Sequence, residues 1–254
     1  AIPSGDHRPW IQTHDDTGKN GMAAVLFSLL GESEHAEYFS RMSLASHGPE
    51  RDCGHTGNFF NMLWAMPAIG RSGRHATGAW MAEFGGWYFD LARRWDGTFL
   101  HQGPPQARPD SYRNWDCTGI WLLAYGIPSG NLHLTGKGKP TIPQIDQAAA
   151  RSLIEDGRGW SNNDRNSFYD SLSTEQLIDR LSNWSPTNRE RAAEALGRRK
   201  VDVTADLVAL LKSSDLYARY GGCQALKFQR GRGSAAVPAL VKTLQADDLW
   251  LRIL

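Results

Sequence analysis

The sequence has few of the features that would assign the chain to a specialised class of protein. Its 254 residues contain only 3 cysteines, so we do not expect a fold held together by disulfides. The 28 Lys and Arg residues nearly balance the 27 Asp and Glu residues, giving a formal net charge of +1. No global electrostatic field therefore selects a nucleic acid or an acidic membrane, and we expect no nucleic-acid partner.

Long apolar runs and alternating strand patterns are also missing. No apolar run approaches the roughly 18 residues of a membrane span, and no charged and then apolar leader opens the chain. No stretch has the period-2 alternation of a half-buried strand, so we expect an all-α protein. The chain begins at Ala1 rather than at methionine and ends within an apolar helical pattern. We interpret it as a piece of a longer protein whose localisation stays unknown.

Glycine and tryptophan are abundant instead, with 26 Gly and 10 Trp. Three polar stretches ending at Gly21, Gly57 and Gly119 are each followed by an apolar helical run. Amphipathic helices are predicted between these runs, at 34–45, 77–95 and 142–155. Helices that are apolar on every side belong inside a protein, whereas amphipathic helices cover them. The alternation therefore predicts two concentric layers of helical hairpins, a partial α/α toroid at residues 1–160.

Aligning the final glycines of the three stretches reveals a column of polar and reactive side chains. Lys19, His55 and Cys117 occupy one column, each two residues before its glycine. If the three apolar helices run in the same direction, their N-terminal ends open at one end of the ring. We therefore expect the three polar stretches to converge there and to form the mouth of the ring.

The cysteine and histidine side chains of these stretches predict a metal centre. Cys53, His55 and Cys117 are all acceptable zinc ligands, and catalytic zinc sites combine three protein ligands with one open position. A bound zinc ion would polarise a substrate oxygen or lower the pKa of a coordinated water. Asp52 and Asp116 are the candidates for a general base or for a carboxylate that orients a ligand. We therefore predict a zinc-dependent enzyme that acts at the mouth of the ring.

The same mouth is a candidate binding site for a small molecule or a peptide. Helix N-termini favour an anionic group such as phosphate or carboxylate, and Lys19 and Arg113 would add charge-assisted contacts. Trp10 and His14 belong to a polar loop that we expect to border the pocket. Trp115 would line an apolar part of it.

Structural alternatives remain open for the predicted zinc ligands and carboxylates. Cys53 and Cys117 would also fit as small buried thiols between helices, or as a disulfide in an exported protein. Asp52 and Asp116 would cap helix N-termini, and His55 would be a hydrogen-bonded core histidine. Under these alternatives the protein is a non-catalytic scaffold that binds a ligand or a protein.

The composition of the chain changes after residue 171, where helix-forming residues dominate. Two similar sequence blocks follow one another in this part. Residues 188–197 resemble residues 218–227, and the run that starts at Leu207 returns 33 residues later at Leu240. This periodicity is typical of a two-helix solenoid. We predict a solenoid that resembles HEAT repeats at residues 172–254, preceded by a linker at 161–171, and we expect it to bind a protein partner. The arginine-rich stretches at 189–199 and 230–232 are interpreted as solvated faces.

Three sequence strings carry a resemblance to a known family. GKNGMAAVLFSLLGE, DCGHTGNFFNMLWA and NWDCTGIWLLAY are similar to strings in an uncharacterised bacterial family of unknown function. Members of that family resemble an α/α toroid and continue into HEAT repeats. The stretch Asp96-Gly97-Thr98-Phe99 is also similar to a turn that closes helical hairpins in terpenoid cyclase and protein prenyltransferase toroids.

The resemblance implies an architecture and supplies no activity. Prenyltransferases hold zinc with Asp, Cys and His, whereas lanthionine cyclases hold it with two Cys and one His. Cys53, His55 and Cys117 have the latter composition, without the adjacent Cys-His pair of those enzymes. Cyclases that protonate an isoprenoid use an acidic cluster that only His14-Asp15-Asp16 approaches here. Shared fold alone is weak support for a shared reaction.

Overall fold

The computed structural model describes residues 17–46, 57–101, 115–129, 132, 142–159 and 165–254. The chain divides into two compact units, Ala1–Ser161 (unit 1) and Asn162–Leu254 (unit 2). The predicted all-α class is confirmed: in the described ranges, extended pairing is limited to isolated bridges, Arg93 with Phe99 and Leu100 with Asp116. None of the helices in these ranges is long and apolar enough to cross a membrane. The domain limits predicted from the sequence stay a prediction.

Unit 1 contains six α-helices in the described residues. They are α1 Thr17–Leu30, α2 Ser33–Ala45, α3 Gly57–Ile69, α4 Arg74–Gly85, α5 Thr118–Gly126 and α6 Gln147–Asp156. A π-helical turn continues α4, and short 3₁₀ turns follow α3 and α5. The helix predicted at 142–155 begins later than expected, because the Asp146 carboxylate accepts a hydrogen bond from the Ala149 N–H at 2.8 Å and caps α6.

The helices of unit 1 pack in an order that follows the predicted layers. The three apolar helices contact one another in sequence, α1 against α3 and α3 against α5. The amphipathic helices meet through α6, which packs on both α2 and α4. A two-layer toroid requires this arrangement of neighbours, and the partial toroid stays a prediction.

The first hairpin shows how the sequence produces this packing. Gly31 ends α1 with φ of 80°, a conformation that glycine adopts without a steric penalty. The Glu32 N–H then bonds to the Phe27 carbonyl at 2.9 Å, and α2 begins at once. The Phe27 and Phe39 rings stack between the two helices with their centroids 5.6 Å apart. The glycine thus directs α2 back along α1.

Buried hydroxyl groups join the second helix to the third. The Ser40 hydroxyl donates to the Ala68 carbonyl at 2.7 Å and lies 2.7 Å from the Ser72 hydroxyl. At the C-terminal end of α2, the Asn20 amide of α1 donates to the Ser46 hydroxyl at 3.3 Å. All of these polar side chains are buried, so their hydrogen bonds remove the cost of desolvation.

A tight turn at residues 96–98 precedes α5 and leads to a contact with its N-cap residue. The Asp96 carboxylate accepts hydrogen bonds from the Thr98 N–H at 3.0 Å and from the Thr98 hydroxyl at 2.6 Å, while Gly97 has φ of 85°. The chain then runs beside the start of α5, where the Cys117 N–H donates to the Phe99 carbonyl at 3.0 Å. The turn therefore fixes the position of Cys117.

Unit 2 contains seven α-helices in the described residues. They are α7 Arg165–Ser171, α8 Thr174–Arg180, α9 Pro186–Arg198, α10 Thr204–Leu211, α11 Leu216–Gln229, α12 Val237–Thr243 and α13 Leu249–Ile253. A 3₁₀ segment at Arg230–Ala236 connects α11 to α12. One hydrophobic core runs through the unit, from Tyr169 to Leu251.

The second helix of each pair in unit 2 begins with the same kind of cap. The Ser185 hydroxyl accepts from the Asn188 N–H at 3.3 Å, the Asp215 carboxylate from the Tyr217 N–H at 2.9 Å and the Asp248 carboxylate from the Leu251 N–H at 2.7 Å. These caps are spaced by 30 and 33 residues, like the sequence blocks. The repeat seen in the sequence is therefore a repeat of local structure.

Candidate functional site

Most of the predicted site residues lie outside the described residues. These are Trp10, His14, Asp52, Cys53, His55 and Arg113. The structure describes Lys19, Trp115, Asp116 and Cys117, and therefore only one of the three predicted zinc ligands. Within the described ranges, no group of three or more His, Cys, Asp and Glu side chains could hold a metal ion. The zinc centre stays a prediction.

Cys117 stands at the N-cap of α5 and is buried. Its thiol donates to the Phe99 carbonyl at 3.3 Å, and its N–H donates to the same oxygen. Burial raises the pKa of this thiol to about 12, and the neighbouring Asp116 charge adds to the effect. A zinc-bound thiolate would have to give up both the proton and this hydrogen bond. The described surroundings thus suit a small packed thiol, one of the alternatives considered above.

Asp116 occupies an exposed position beside the same helix end. Its carboxylate accepts from the Thr118 N–H at 2.9 Å. Hydrogen bonds from the Thr118 N–H and side chain hold the pKa of this carboxyl below its usual range. An ionised carboxylate here satisfies an N–H at the helix start and favours the positive end of the helix dipole. The geometry therefore supplies a capping role for Asp116, and its proposed role as a base stays a prediction.

The aligned stretches at Gly21 and Gly119, which the structure describes in part, are not equivalent in three dimensions. α1 begins at Thr17, so Lys19 lies inside the helix and is half-buried, whereas Cys117 precedes α5. A Cβ placed on Gly21 would overlap the Trp64 carbonyl, so this glycine lets α1 approach α3 closely. A Cβ on Gly119 would meet nothing within 4 Å. The column of Lys19 and Cys117 therefore does not correspond to one structural position.

The described tryptophans of unit 1 divide into core and surface positions. Trp80 and Trp121 are almost wholly buried, so they pack in the core. Trp115 is 53% exposed, and its carbonyl accepts from the His101 N–H at 3.0 Å. The binding role predicted for Trp115 stays a prediction. The buried His101 beside it was not singled out from the sequence, because it falls in a Pro- and Gly-rich stretch without helical periodicity.

A different site appears in unit 2, where a cleft of about 780 Å³ opens between the C-terminal ends of α9 and α11. We call it the arginine groove, after Arg198, Arg230 and Arg232 in its wall; Glu194 and Phe228 also line it. Arg198 donates to the Asp170 carboxylate at 3.1 and 2.7 Å. The Glu194 carboxylate lies 3.8 Å from the buried Arg191 guanidinium.

The other two arginines of the groove bind no carboxylate in the described part of the chain. The Arg232 guanidinium donates to the backbone carbonyls of Gly197, at 2.8 Å, and Arg199. Arg230 is exposed and has φ of 51°, and its side chain makes no hydrogen bond or ion pair in the ranges described. The groove therefore carries positive charge that no ion pair in the described residues neutralises.

The interpretation of residues 189–199 as a solvated face is wrong in part, whereas residues 230–232 are exposed. Arg189 and Arg191 are buried. Arg189 donates to the carbonyls of Asn183 and Trp184 at 2.7 and 2.9 Å and lies over the Tyr217 ring, 5.0 Å from its centroid. The 33-residue offset could have paired Arg199 with Arg232 and so pointed to the groove. Nothing in the composition distinguishes a buried arginine from a solvated one.

Comparison with known families supports the division of the sequence into two kinds of segment. A family model for HEAT repeats matches residues 174–253, which confirms the HEAT prediction. A second model, described as a domain of unknown function (DUF6288), matches residues 1–136, more than half of the chain. No curated protein and no solved structure matches the chain. The chain therefore belongs to the DUF6288 family, and its DUF6288 segment is followed by HEAT repeats.

Proposed function

We propose that this protein is a binding scaffold whose HEAT repeats dock a partner protein. HEAT repeats commonly mediate protein interactions, and stacked helix pairs present extended surfaces suited to that task. The observation that carries the proposal is the arginine groove, an open cleft whose wall is held by the repeat stack. A surface fixed before binding loses little conformational entropy when a partner docks.

The groove wall is held by contacts between successive repeats. The Gln229 amide, which is buried, donates to the Leu196 carbonyl at 3.2 Å, and the Arg232 guanidinium donates to the carbonyl of Gly197. A Cβ on Gly197 would lie 2.6 Å from the Phe228 Cβ, so the absence of a side chain lets the helix ends approach. These contacts use backbone groups and leave the charge of the wall for a partner.

Unit 1 is proposed to be a partial α/α toroid that binds a small molecule or a peptide. Its apolar helices expose large side chains, Leu26 and Leu29 from α1 and Leu122 and Tyr125 from α5. Exposed apolar side chains on helices otherwise built for an interior support an apolar binding surface. Trp115, half-exposed beside α5, would extend that surface.

The scaffold function is tested by capture and reconstitution. The full chain and a version lacking residues 172–254 are used as baits, and a captured protein is then purified and titrated against both. We expect tight binding to the full chain and loss of binding to the shortened chain, with the helical circular dichroism of unit 1 retained. Equal binding of the purified protein to both versions would refute docking by the HEAT repeats.

A zinc-dependent reaction at the mouth of the ring is the second candidate function. It is supported by the position of Cys117 at the start of α5, with the Asp116 carboxylate at the same helix end. Cys53 and His55 would complete the ligand set and hold the metal. Elemental analysis of the purified chain tests it. This hypothesis predicts about one zinc per chain, lost in the Cys53→Ala, Cys117→Ala variant; a metal-free wild type contradicts it.

A further inference from the structure

We propose that the arginine groove binds an acidic peptide segment of a partner protein. This inference rests on the proposed scaffold function and adds to it the chemistry of the partner. It starts from the distribution of charge in and around the groove.

The carboxylates near the groove are already engaged. Glu194 faces Arg191, and Asp170 accepts from Arg198. The Asp202 carboxylate accepts from the Thr204 N–H at 2.9 Å, and it forms no ion pair within 4.0 Å in the described residues. Asp202 interacts with Arg232 electrostatically without forming an ion pair. Arg230 has no such neighbour in the described residues, so a carboxylate entering the groove would meet its guanidinium without a competing acid.

Arg230 occupies a backbone conformation that favours glycine. Its φ of 51° and ψ of −132° fall outside the regions that residues with a side chain normally adopt. Gly231 follows it directly and would fit such a turn without strain. The Arg230 side chain contributes no hydrogen bond or ion pair within the described residues that would offset the strain. Strain at a side chain without an internal role points to a role in binding.

Arg232 presents its charge in a fixed orientation. Its guanidinium is held by the carbonyls of Gly197 and Arg199, which are neutral acceptors and leave the net charge unchanged. A planar guanidinium offers paired N–H donors that match a carboxylate. Because the side chain is already ordered, less entropy is lost when a ligand binds.

The groove suits a peptide better than a nucleic acid. Its unneutralised charges come from two arginines, whereas nucleic-acid binding draws on a row of phosphate contacts and on stacked aromatic rings. Phe228, half-buried in the wall, offers one apolar surface between them. In a segment where glutamate or aspartate alternates with apolar residues, the carboxylates would pair with the arginines and the apolar side chains would contact the Phe228 ring.

The test uses the full chain and a short fluorescein-labelled peptide of alternating glutamate and leucine, followed by fluorescence anisotropy. We expect saturable binding that weakens with added salt, and no binding of the matching glutamine peptide. Arg230→Gln should weaken binding about fivefold or more, since it removes one charge-assisted contact. Lys242→Gln, which removes one exposed charge outside the groove, should leave the affinity unchanged.

Several outcomes would overturn the proposal. They are equal affinity of Arg230→Gln and wild type, equal binding of the glutamine peptide, and tighter binding of a labelled single-stranded oligonucleotide than of the acidic peptide. Circular dichroism of Arg230→Gln must match that of the wild type; if it does not, Arg230→Gly is used, which also removes the charge, relieves the backbone and should weaken binding by a similar factor. A captured partner that still binds Arg230→Gln at full strength but not the chain lacking 172–254 would refute the groove and leave the scaffold function standing.

Discussion

The two units differ in how their polar groups are placed. Unit 2 uses the same kind of helix cap three times, at Ser185, Asp215 and Asp248, with the spacing of the repeats. Unit 1 uses single contacts, such as the Ser40 hydroxyl between α2 and the Ala68 carbonyl of α3. The difference teaches that repetition makes contacts visible in a sequence, whereas contacts made once are found only in the structure.

The largest expected effect comes from blocking a close helix contact in unit 2. A Cβ on Gly221 would overlap the Leu181 carbonyl, so Gly221→Val should destabilise unit 2 by about 3 kcal/mol or more. Thermal unfolding followed by circular dichroism measures the loss. Gly119→Ala in α5 of unit 1 is the control, because its Cβ would meet nothing within 4 Å and should change stability by less than about 1 kcal/mol. Similar losses in both variants would contradict the packing described.

Removing a buried arginine should have the next largest effect. Arg189→Ala removes the hydrogen bonds that the guanidinium donates to two carbonyls and uncovers the Tyr217 ring, so we expect a loss of about 2–3 kcal/mol. Arg158→Ala is the matched surface change in unit 1, where Arg158 lies 4.0 Å from Glu83 and both side chains are exposed. That change should cost less than about 1 kcal/mol. Urea titrations measure the free energy of unfolding of both variants. Equal losses would contradict the conclusion that burial of Arg189 makes it the more important residue for stability.

Tyr220 links the stability of unit 2 to alkaline pH. Burial raises the pKa of its hydroxyl to about 12, and the hydrogen bond that it donates to Asp248 at 3.0 Å adds to the shift. The folded state therefore favours the protonated phenol. Its stabilisation is complete below the unfolded pKa of about 10 and is lost as pH rises towards about 12.

Tyr220→Phe should lower stability by about 1.5 kcal/mol at neutral pH, because it removes a hydrogen bond to a carboxylate. The variant should also lose less stability than the wild type between about pH 10 and pH 12. Denaturant titrations across this range test both statements. If stability falls equally with pH in the two proteins, ionisation of Tyr220 does not cause the loss of stability at alkaline pH.

The smallest expected effect has the opposite sign. Arg230→Gly should stabilise unit 2 by about 1 kcal/mol, because it relieves the strained backbone without removing an internal contact. Arg230→Gln keeps the strain and should leave stability unchanged. Melting temperatures of the two variants separate strain from charge, and a destabilised glycine variant would contradict the interpretation of this position.

Most helices can be predicted from the sequence, because apolar runs and repeat spacing are local or regular features. Apolar runs predicted the cores of α1, α3 and α5, and the offset of 33 residues revealed the solenoid. These features depend on residues close in the chain or on a regular spacing.

The candidate site was harder to predict because it depends on distant residues. Aligned glycines suggested that Lys19 and Cys117 share a position, but helix starts shift by several residues and separate them. The arginine groove joins the ends of α9 and α11, and whether an arginine is buried or exposed follows from packing that composition does not record. Arg191 and Arg198 are seven residues apart in one helix, yet one is buried and the other exposed.

Hydrogen–deuterium exchange of the full chain, with and without a saturating purified partner, tests the scaffold function most directly. We predict that binding slows exchange at the ends of α9 and α11 and in the 3₁₀ segment that follows, while residues 17–46 and 57–101 exchange as in the free protein. Slowed exchange confined to residues 17–159, with unit 2 unchanged, would contradict docking on the HEAT repeats.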